Sequence, residues 1–324
     1  MIRFVAIAVA GVVGAYTTVH GAVAQVLDGR PIVVVVPFSP GASADSLMRM
    51  VTKNISDKSG QTFVIENRPG AGGAVGAAMV KQARPDGLTL LQANAGTHAL
   101  ISALQTNPAY DPVKDFSPIT LLWSFPHLLV VPSGSPAKSV DDLIAYARKK
   151  PGGLTFGSPG SGSGGHILGE MLKVQTQTPL VHVPFKGAAP AVLDLVAGRI
   201  DFLFASYASV VSFVESGQLR VLGLAGREPL KVLPNVPTMA KAGYPEVDMD
   251  YWFALVGPAG TPPQTIDKLH AAFAAALTDP DIVKQMANLG VEALTNTPAE
   301  LATQIRVDSE RLTKAAQAAG ITPK

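Results

Sequence analysis

The chain contains no cysteine, which excludes structural disulfides, thiolate catalysis and Cys-based metal sites together. It also lacks a surplus of either charge: 26 Lys and Arg stand against 24 Asp and Glu, a formal net charge of +2 over 324 residues. Gripping a phosphate backbone needs a basic stripe, so nucleic acid is not an expected partner. Charge is scarce altogether, at 15% against 47% hydrophobic residues, a balance that fills a large core and argues against disorder. No repeat of 20–50 residues is visible, which removes solenoids. Glycine (31) and proline (26) are abundant instead, and they punctuate apolar runs without forming low-complexity tracts. At roughly 150 residues per domain the length suits about two domains, and the composition is that of a loop-punctuated α/β protein.

Residues 1–24 read as an address. Arg3 gives a positive start, residues 4–14 are uncharged and mostly apolar, and Ala22-Val23-Ala24 fits the small-x-small pattern before a signal-peptidase cut. A membrane span needs about 20 predominantly apolar residues, and Thr17, Thr18, His20 and Gly21 interrupt the run. Cleavage after Ala24 is expected, with export to the periplasm. Residue 25 is Gln and not Cys, which leaves no lipid-anchored form. No later segment reaches 18 uninterrupted apolar residues, so the mature protein is expected to be soluble.

Residues 31–37, two prolines enclosing Ile32 and four valines, form a continuous β-branched run. Without alternation it reads as a strand buried on both faces of a parallel sheet. A turn over 38–43 follows, and then a helix from Asp45 whose Leu47, Met50, Val51 and Ile55 share a stripe, ending near Gly60. Strands are predicted at 62–66 and 88–92 with a small-residue helix between them, the repeated order of a doubly wound sheet. Further strands are read at 128–131, 154–156, 180–183, 200–204, 219–225 and 252–256, with helices at 166–174 and 190–197. Ser139 with Asp141 and Asp142 matches a helix cap. Ile266, Leu269, Phe273 and Leu277 predict helices closing over the first lobe.

Two strand–turn–helix junctions place small residues where a helix presents unpaired backbone N–H groups. The first is residues 37–45 (PFSPGASAD) and the second residues 157–166 (GSPGSGSGGH). Glycine lets a backbone approach a ligand and serine adds donors. A helix N-terminus favours an anion by about 0.3–1 kcal/mol, up to about 2 when partly buried, and hydrogen bonds to a charged group contribute about 1.5–3 kcal/mol each. Micromolar binding needs about 8 kcal/mol, so two such turns on opposing lobes suffice without Lys or Arg. The plainer alternative is that these residues only cap helices and turn the chain.

Enzyme and cofactor signatures fail one by one. Residues 160–165 satisfy G-x-G-x-x-G, but about 20 residues on the chain reads HVPFKG (182–187), with no carboxylate between Glu170 and Asp194, so the ribose partner of a dinucleotide site is missing. No G-x-S-x-G elbow occurs, since Pro159 and Ser161 precede Ser161 and Ser163 by two. Ser135 to Lys138 fits S-x-x-K without its companion elements, and there is no P-loop. His98, His127, His166, His182 and His270 show no metal-ligand spacing. No cofactor, metal or catalytic residue is expected. His166, at its helix N-terminus, either contacts a ligand or hydrogen-bonds its own Gly-Ser loop, and Asp45 complements a helix dipole.

Several blocks then add up to a resemblance. Arg30-Pro31-Ile32 through Pro37-Phe38-x-Pro40-Gly41 with Asp45 and Arg49, residues 66–73 (ENRPGAGG), residues 85–91 (PDGLTLL), Tyr110-Asp111-Pro112, Gly157-Ser158-x-Gly160-x-Gly162-Ser163 with His166, residues 182–187 (HVPFKG), Leu233-Pro234-x-Val236-Pro237-Thr238 and residues 258–262 (PAGTP) resemble the substrate-binding proteins of tripartite tricarboxylate transporters, the Bug-type family. The resemblance implies a two-lobed periplasmic-binding-protein fold (type II-like), each lobe a mostly parallel sheet flanked by helices, with two crossovers near residues 125 and 247. Lobe one would be 25–125 with 248–324 and lobe two 126–247. It implies a receptor, not an enzyme, that takes a small organic acid in the cleft and passes it to membrane permease subunits; we expect a monomer. Carried over, the ligand contacts are Phe38, Ser39, Gly41, Ala42 and Ser43 with Asn94, then Ser158, Gly160, Ser161, Gly162, Ser163 and His166, with Lys186 and an Ala205-Ser206-Tyr207 turn deeper in. The family usually has Gly-Gly after Pro40; here Gly41 is followed by Ala42, whose methyl is expected to alter which acid fits. Two other outputs stay open: a secreted hydrolase on the same fold using Ser161 or Ser163 with His166, and a ligand-presenting partner of a membrane sensor.

Overall fold

The computed structural model describes residues 26–318 apart from 28, 102–104, 106, 227 and 250; the expected signal segment lies outside the described residues. In chain order the elements are β1 (Ile32–Val36), α1 (Ser43–Ser59), β2 (Phe63–Asn67), α2 (Ala74–Lys81), β3 (Thr89–Asn94), β4 (Phe116–Phe125), β5 (His127–Pro132) and α3 (Val140–Lys149). There follow β6 (Leu154–Ser158), α4 (Gly164–Thr176), β7 (Leu180–Pro184), α5 (Ala188–Val196), β8 (Phe202–Ser206), α6 (Tyr207–Glu215) and β9 (Leu219–Ala225). The chain closes with β10 (Tyr251–Pro258), α7 (Pro263–Leu277), α8 (Pro280–Asn288), β11 (Glu292–Ala293) and α9 (Pro298–Ala318).

These strands build two sheets. The first has the order β11-β4-β10-β3-β1-β2 and the second β7-β6-β8-β5-β9. The β-branched run behaves as its lack of alternation predicts. Parallel β2 and β3 flank β1 on its two edges, and Ile32, Val34, Val35 and Val36 are fully buried. Parallel pairing also joins β6 to β7 and to β8. Strand β10, between β3 and β4, and strand β5, between β8 and β9, each run against their neighbours on both sides. These are the strands reached when the chain passes from one sheet to the other, first through Pro126 and again along residues 226–250.

Strand β5 is buried on both faces, and its alternation divides two cores. Leu128 and Val130 pack with Leu195, Leu203, Val210 and Leu224, while Leu129 and Val131 face the larger core. Full burial of each such side chain contributes about 1.5–3 kcal/mol. The C-terminal stripe also does what its spacing predicts: Leu269, Phe273 and Leu277 are buried, and Phe273 meets Phe63 edge-on at 5.8 Å. Ser139 caps α3, its Oγ accepting from the Asp142 N–H at 3.1 Å. Asp279 caps α8 in the same way, accepting from Asp281 at 2.9 Å, with Pro280 at the first helical position.

Two elements depart from expectation. The residues predict no strand over 116–125, yet β4 forms there, with Pro118, a residue unsuited to a central strand, accommodated opposite Val256, where the β4–β10 register shifts. The Ala205-Ser206-Tyr207 segment is not a free turn. It is the junction of β8 and α6, with Ser206 as N-cap and Tyr207 as the first helical residue.

Candidate functional site

The ends of β1, β6, β7 and β8 point into the gap between the sheets, and each hands over to a helix there. An inner hollow of about 70 Å³ is lined by Ser43 and Ala44 from α1, Gly164 and Gly165 from α4, Gly187 and Ala188 at the start of α5, and Ser206 and Ser209 at the start of α6. Four helix N-termini therefore converge on one small space. The first-turn N–H groups of a helix have no intrahelical acceptor and carry its partial positive charge. No Lys or Arg lines this hollow among the described residues. An outer hollow of about 630 Å³ adjoins it, lined by residues 69–73 and 184–187, with Lys186 among them.

Both glycine-rich turns use one device. Helix α1 begins at Ser43, and the carboxylate of Asp45 accepts from the N–H of Gly41 at 2.9 Å. Helix α4 begins at Gly164, and His166 Nδ1 accepts from the N–H of Gly162 at 3.1 Å. In each case the third helical residue turns back onto the residue before the N-cap, so the turn is rigid before any ligand arrives. Asp45 is held further by Arg49 Nε at 3.1 Å and Asn67 Nδ2 at 2.9 Å. Burial pushes its carboxyl up, but Arg49, the Gly41 amide and Asn67 outweigh burial and hold it below the ordinary range. Gly41 has φ +78 with open space around it, so glycine is required there for conformation and not for closeness. Ala42 is extended (φ −64) and accepts a side chain without strain, its methyl facing the inner hollow.

Of the residues predicted from sequence, Phe38, Ser39, Ala42, Ser43, Ser163, Ala205 and Ser206 line the inner hollow. Gly160, Ser161 and Lys186 line the outer one, which Phe38, Ser39 and Ser163 also reach. Six line neither. Gly41 and Gly162 have given their amides to Asp45 and His166, and His166 is thereby turned onto its own loop, its ring tilted against that of His182 at 4.0 Å. Ser158 is fully buried, its Oγ bonded to His182 Nε2 at 2.7 Å and donating to the Gly160 carbonyl at 2.9 Å. Asn94 is fully buried and accepts from the Tyr251 hydroxyl at 2.8 Å and the Thr97 N–H at 3.1 Å. Tyr207 packs into the smaller core and against Gly290. Ser163 Oγ donates to the Gly160 carbonyl at 2.7 Å; with His166 Nδ1 engaged by Gly162, the two do not form a nucleophile–base pair.

Contacts across the gap tie the sheets together. Ser43 Oγ lies 3.1 Å from both Ser206 Oγ and Ser209 Oγ, which are 2.8 Å from each other. Ser39 Oγ donates to the Lys186 carbonyl at 3.2 Å. The Tyr251 hydroxyl sits between Gly96 and Gly164; their amides favour its phenolate, but burial dominates and pushes the phenol far up.

The wall opposite the helix ends was missed from sequence. Phe125, His127, Tyr251 and Phe253 line the inner hollow beside Phe38. They stand on β4, β5 and β10, where the chain crosses between sheets, with Phe125 and Phe253 rings 5.2 Å apart. No local motif marks them. The one available signal is the i, i+2 pairing of rings at 125 and 127 and at 251 and 253, which puts each pair on one side of the chain.

Two sheets flanked by helices, joined by two crossings and enclosing a hollow of helix ends, define a two-lobed solute-binding receptor of the periplasmic type. The chain belongs to the tripartite tricarboxylate transporter receptor family, whose model, described as "Tripartite tricarboxylate transporter family receptor", matches residues 47–321. It is 32% identical to Protein BugT of Bordetella pertussis over 292 residues, 89% of this chain and 90% of that one. Among solved structures it resembles Rpa4515 of R. palustris with adipate (TM-score 0.87, 32% identity, 92% of this chain and 100% of that one). It also resembles MatC of Rhodopseudomonas palustris with bound malate (TM-score 0.84, 32% identity, 89% and 99%). The chain is accordingly a periplasmic solute-binding receptor and not an enzyme. No helix among the described residues is long and apolar enough to cross a membrane.

Proposed function

We propose that the protein captures a small organic acid between lobe one (25–125 and 248–324) and lobe two (126–247) and delivers it to the membrane subunits of a tripartite tricarboxylate-type transporter. It acts as a monomer released into the periplasm by cleavage after Ala24. The observation that carries the reading is the convergence of four helix N-termini on a hollow without a cationic side chain. Such a site suits a carboxylate: first-turn amides and the hydroxyl cluster of Ser43, Ser206 and Ser209 donate, and the partial charges of the helices favour the anion. The adipate and malate of the two solved relatives support the same ligand class. The carboxylate occupies the inner hollow, and a longer body extends past Phe38 into the outer one, where Lys186 meets a second charge. A ligand bridging both lobes favours the closed form by its differential contacts with it. Calorimetry and thermal shift with a panel of carboxylates and neutral sugars test this. Stabilisation by a carboxylate is expected; stabilisation by a sugar and by no carboxylate refutes it.

A further inference from the structure

We infer that His127 sets the ligand specificity of the inner hollow by hydrogen-bonding a neutral oxygen of the ligand, a hydroxyl or keto group distinct from the carboxylate, so that the preferred ligands are hydroxy- or oxo-acids. This rests on the carboxylate reading above and narrows it.

The position of the ring is fixed from several sides. His127 opens β5 and pairs with Ser206 on one flank and Ala225 on the other. The ring stands edge-on to Tyr251 at 5.1 Å and 83°, and Phe125 lies 5.6 Å away. The residue is 7% exposed, and Nδ1 is buried with no hydrogen-bond partner among the described residues. The opposite edge faces the start of α4: a Cβ at Gly164 would come within 2.8 Å of Cε1 and 2.9 Å of Nε2. Only glycine at 164 leaves that edge open toward the space where the helix ends meet.

The chemistry follows from burial. Desolvation pushes the imidazole down to about 4, so near neutral pH the ring is uncharged and offers one donor and one acceptor. A buried N–H without an acceptor is rarer in proteins than an under-used lone pair, which assigns the proton to Nε2, on the edge beside Gly164. Among the rings of Phe38, Phe125 and Phe253 the imidazole is a polar break in an apolar wall. Directly opposed strand residues share a face, so Ser206 and its hydroxyl neighbours Ser43 and Ser209 form the adjacent polar corner. An uncharged ring adds little for a full anion already met by four helix ends. It discriminates strongly between a ligand with a hydrogen-bonding oxygen at that point and one without, because a site built for such an oxygen is left unpaired by its absence.

The test measures dissociation constants by calorimetry for matched acids with and without the oxygen: lactate and propionate, malate and succinate, mandelate and phenylacetate. We expect the hydroxy acid to bind about tenfold tighter in at least one pair. His127→Phe should erase that preference, bringing the hydroxy acid and its plain partner to within about twofold of each other. If the phenylalanine variant does not fold, as judged by thermal unfolding, His127→Leu is read by the same ratio. If neither folds, the wild-type ratios decide. Equal binding within every wild-type pair, or a preference that survives in a folded His127 variant, overturns the inference while the carboxylate reading stands. Failure of every acid to bind overturns both.

Discussion

Gly72 lies so close to the Ser161 carbonyl across the gap between the sheets that a Cβ on it would sit 2.6 Å from that oxygen. Its φ of +66 is also in the region that favours glycine. The loop of residues 70–73 therefore fits against the second glycine-rich turn only because it carries no side chain there. Gly72→Ala should weaken binding of an acid about tenfold or more, since the close contact belongs to the closed arrangement. The backbone strain should cost about 1 kcal/mol of stability. Calorimetry and thermal unfolding separate the two effects; unchanged affinity would show that this contact does not limit closure.

Ser43 is the only member of the three-hydroxyl cluster that comes from the first sheet's side of the gap. Ser43→Ala removes both of its bonds, to Ser206 and Ser209, while the latter two keep each other. A neutral hydrogen bond contributes about 0.5–1.5 kcal/mol, so a loss of about 1–2 kcal/mol in binding is expected. Stopped-flow kinetics should place most of it in faster ligand release.

Asp45 organises the first turn without lining either hollow. Asp45→Asn keeps the shape but removes the charge that faces Arg49 and replaces one acceptor with a donor against Gly41 or Asn67. A fall of about 1–3 kcal/mol in unfolding free energy is expected, together with weaker binding from a looser turn. Denaturant unfolding and calorimetry on the same preparation check it.

Two buried histidines make stability depend on pH. Burial holds His127 down at about 4 and His98 at about 3, against an ordinary value of 6.5. Below pH 6.5 the unfolded chain takes up protons that the folded chain refuses, so stability falls as pH drops from about 6.5 to about 4 for His127. It continues falling to about 3 for His98. Across their spans they contribute on the order of 3 kcal/mol for His127 and about 5 kcal/mol for His98. Asp45, whose carboxyl is depressed, adds a further loss as pH falls below 3.8. Chemical unfolding at stepped pH should show a decline beneath pH 6.5, and His127→Phe should roughly halve its slope between about 6.5 and 4, leaving the share that His98 contributes.

Much of the fold was legible before any coordinates. The valine run of β1 has no alternation because parallel neighbours and helices cover it completely, and Leu269, Phe273 and Leu277 share one face because they fill one core. Strand β4 was hidden by Pro118, whose missing N–H is tolerated at a register shift that only the partner strand β10 reveals. Helix α6 was hidden because the Ser206 hydroxyl does not cap a backbone N–H of the first turn; it is spent on the hydroxyls of Ser43 and Ser209 instead.

The amino-acid order by itself determined the two glycine-rich junctions, their helices and the family, since turn conformation and helix initiation are decided within a few residues. Tertiary structure decided which of those residues remain available. Side-chain reach turned His166 back onto Gly162 and Asp45 onto Gly41, and sheet pairing brought Phe125, His127, Tyr251 and Phe253 together from positions more than 120 residues apart. Capture of an anion depends on the sum of several helix ends at one point, and that sum exists only once both sheets are assembled.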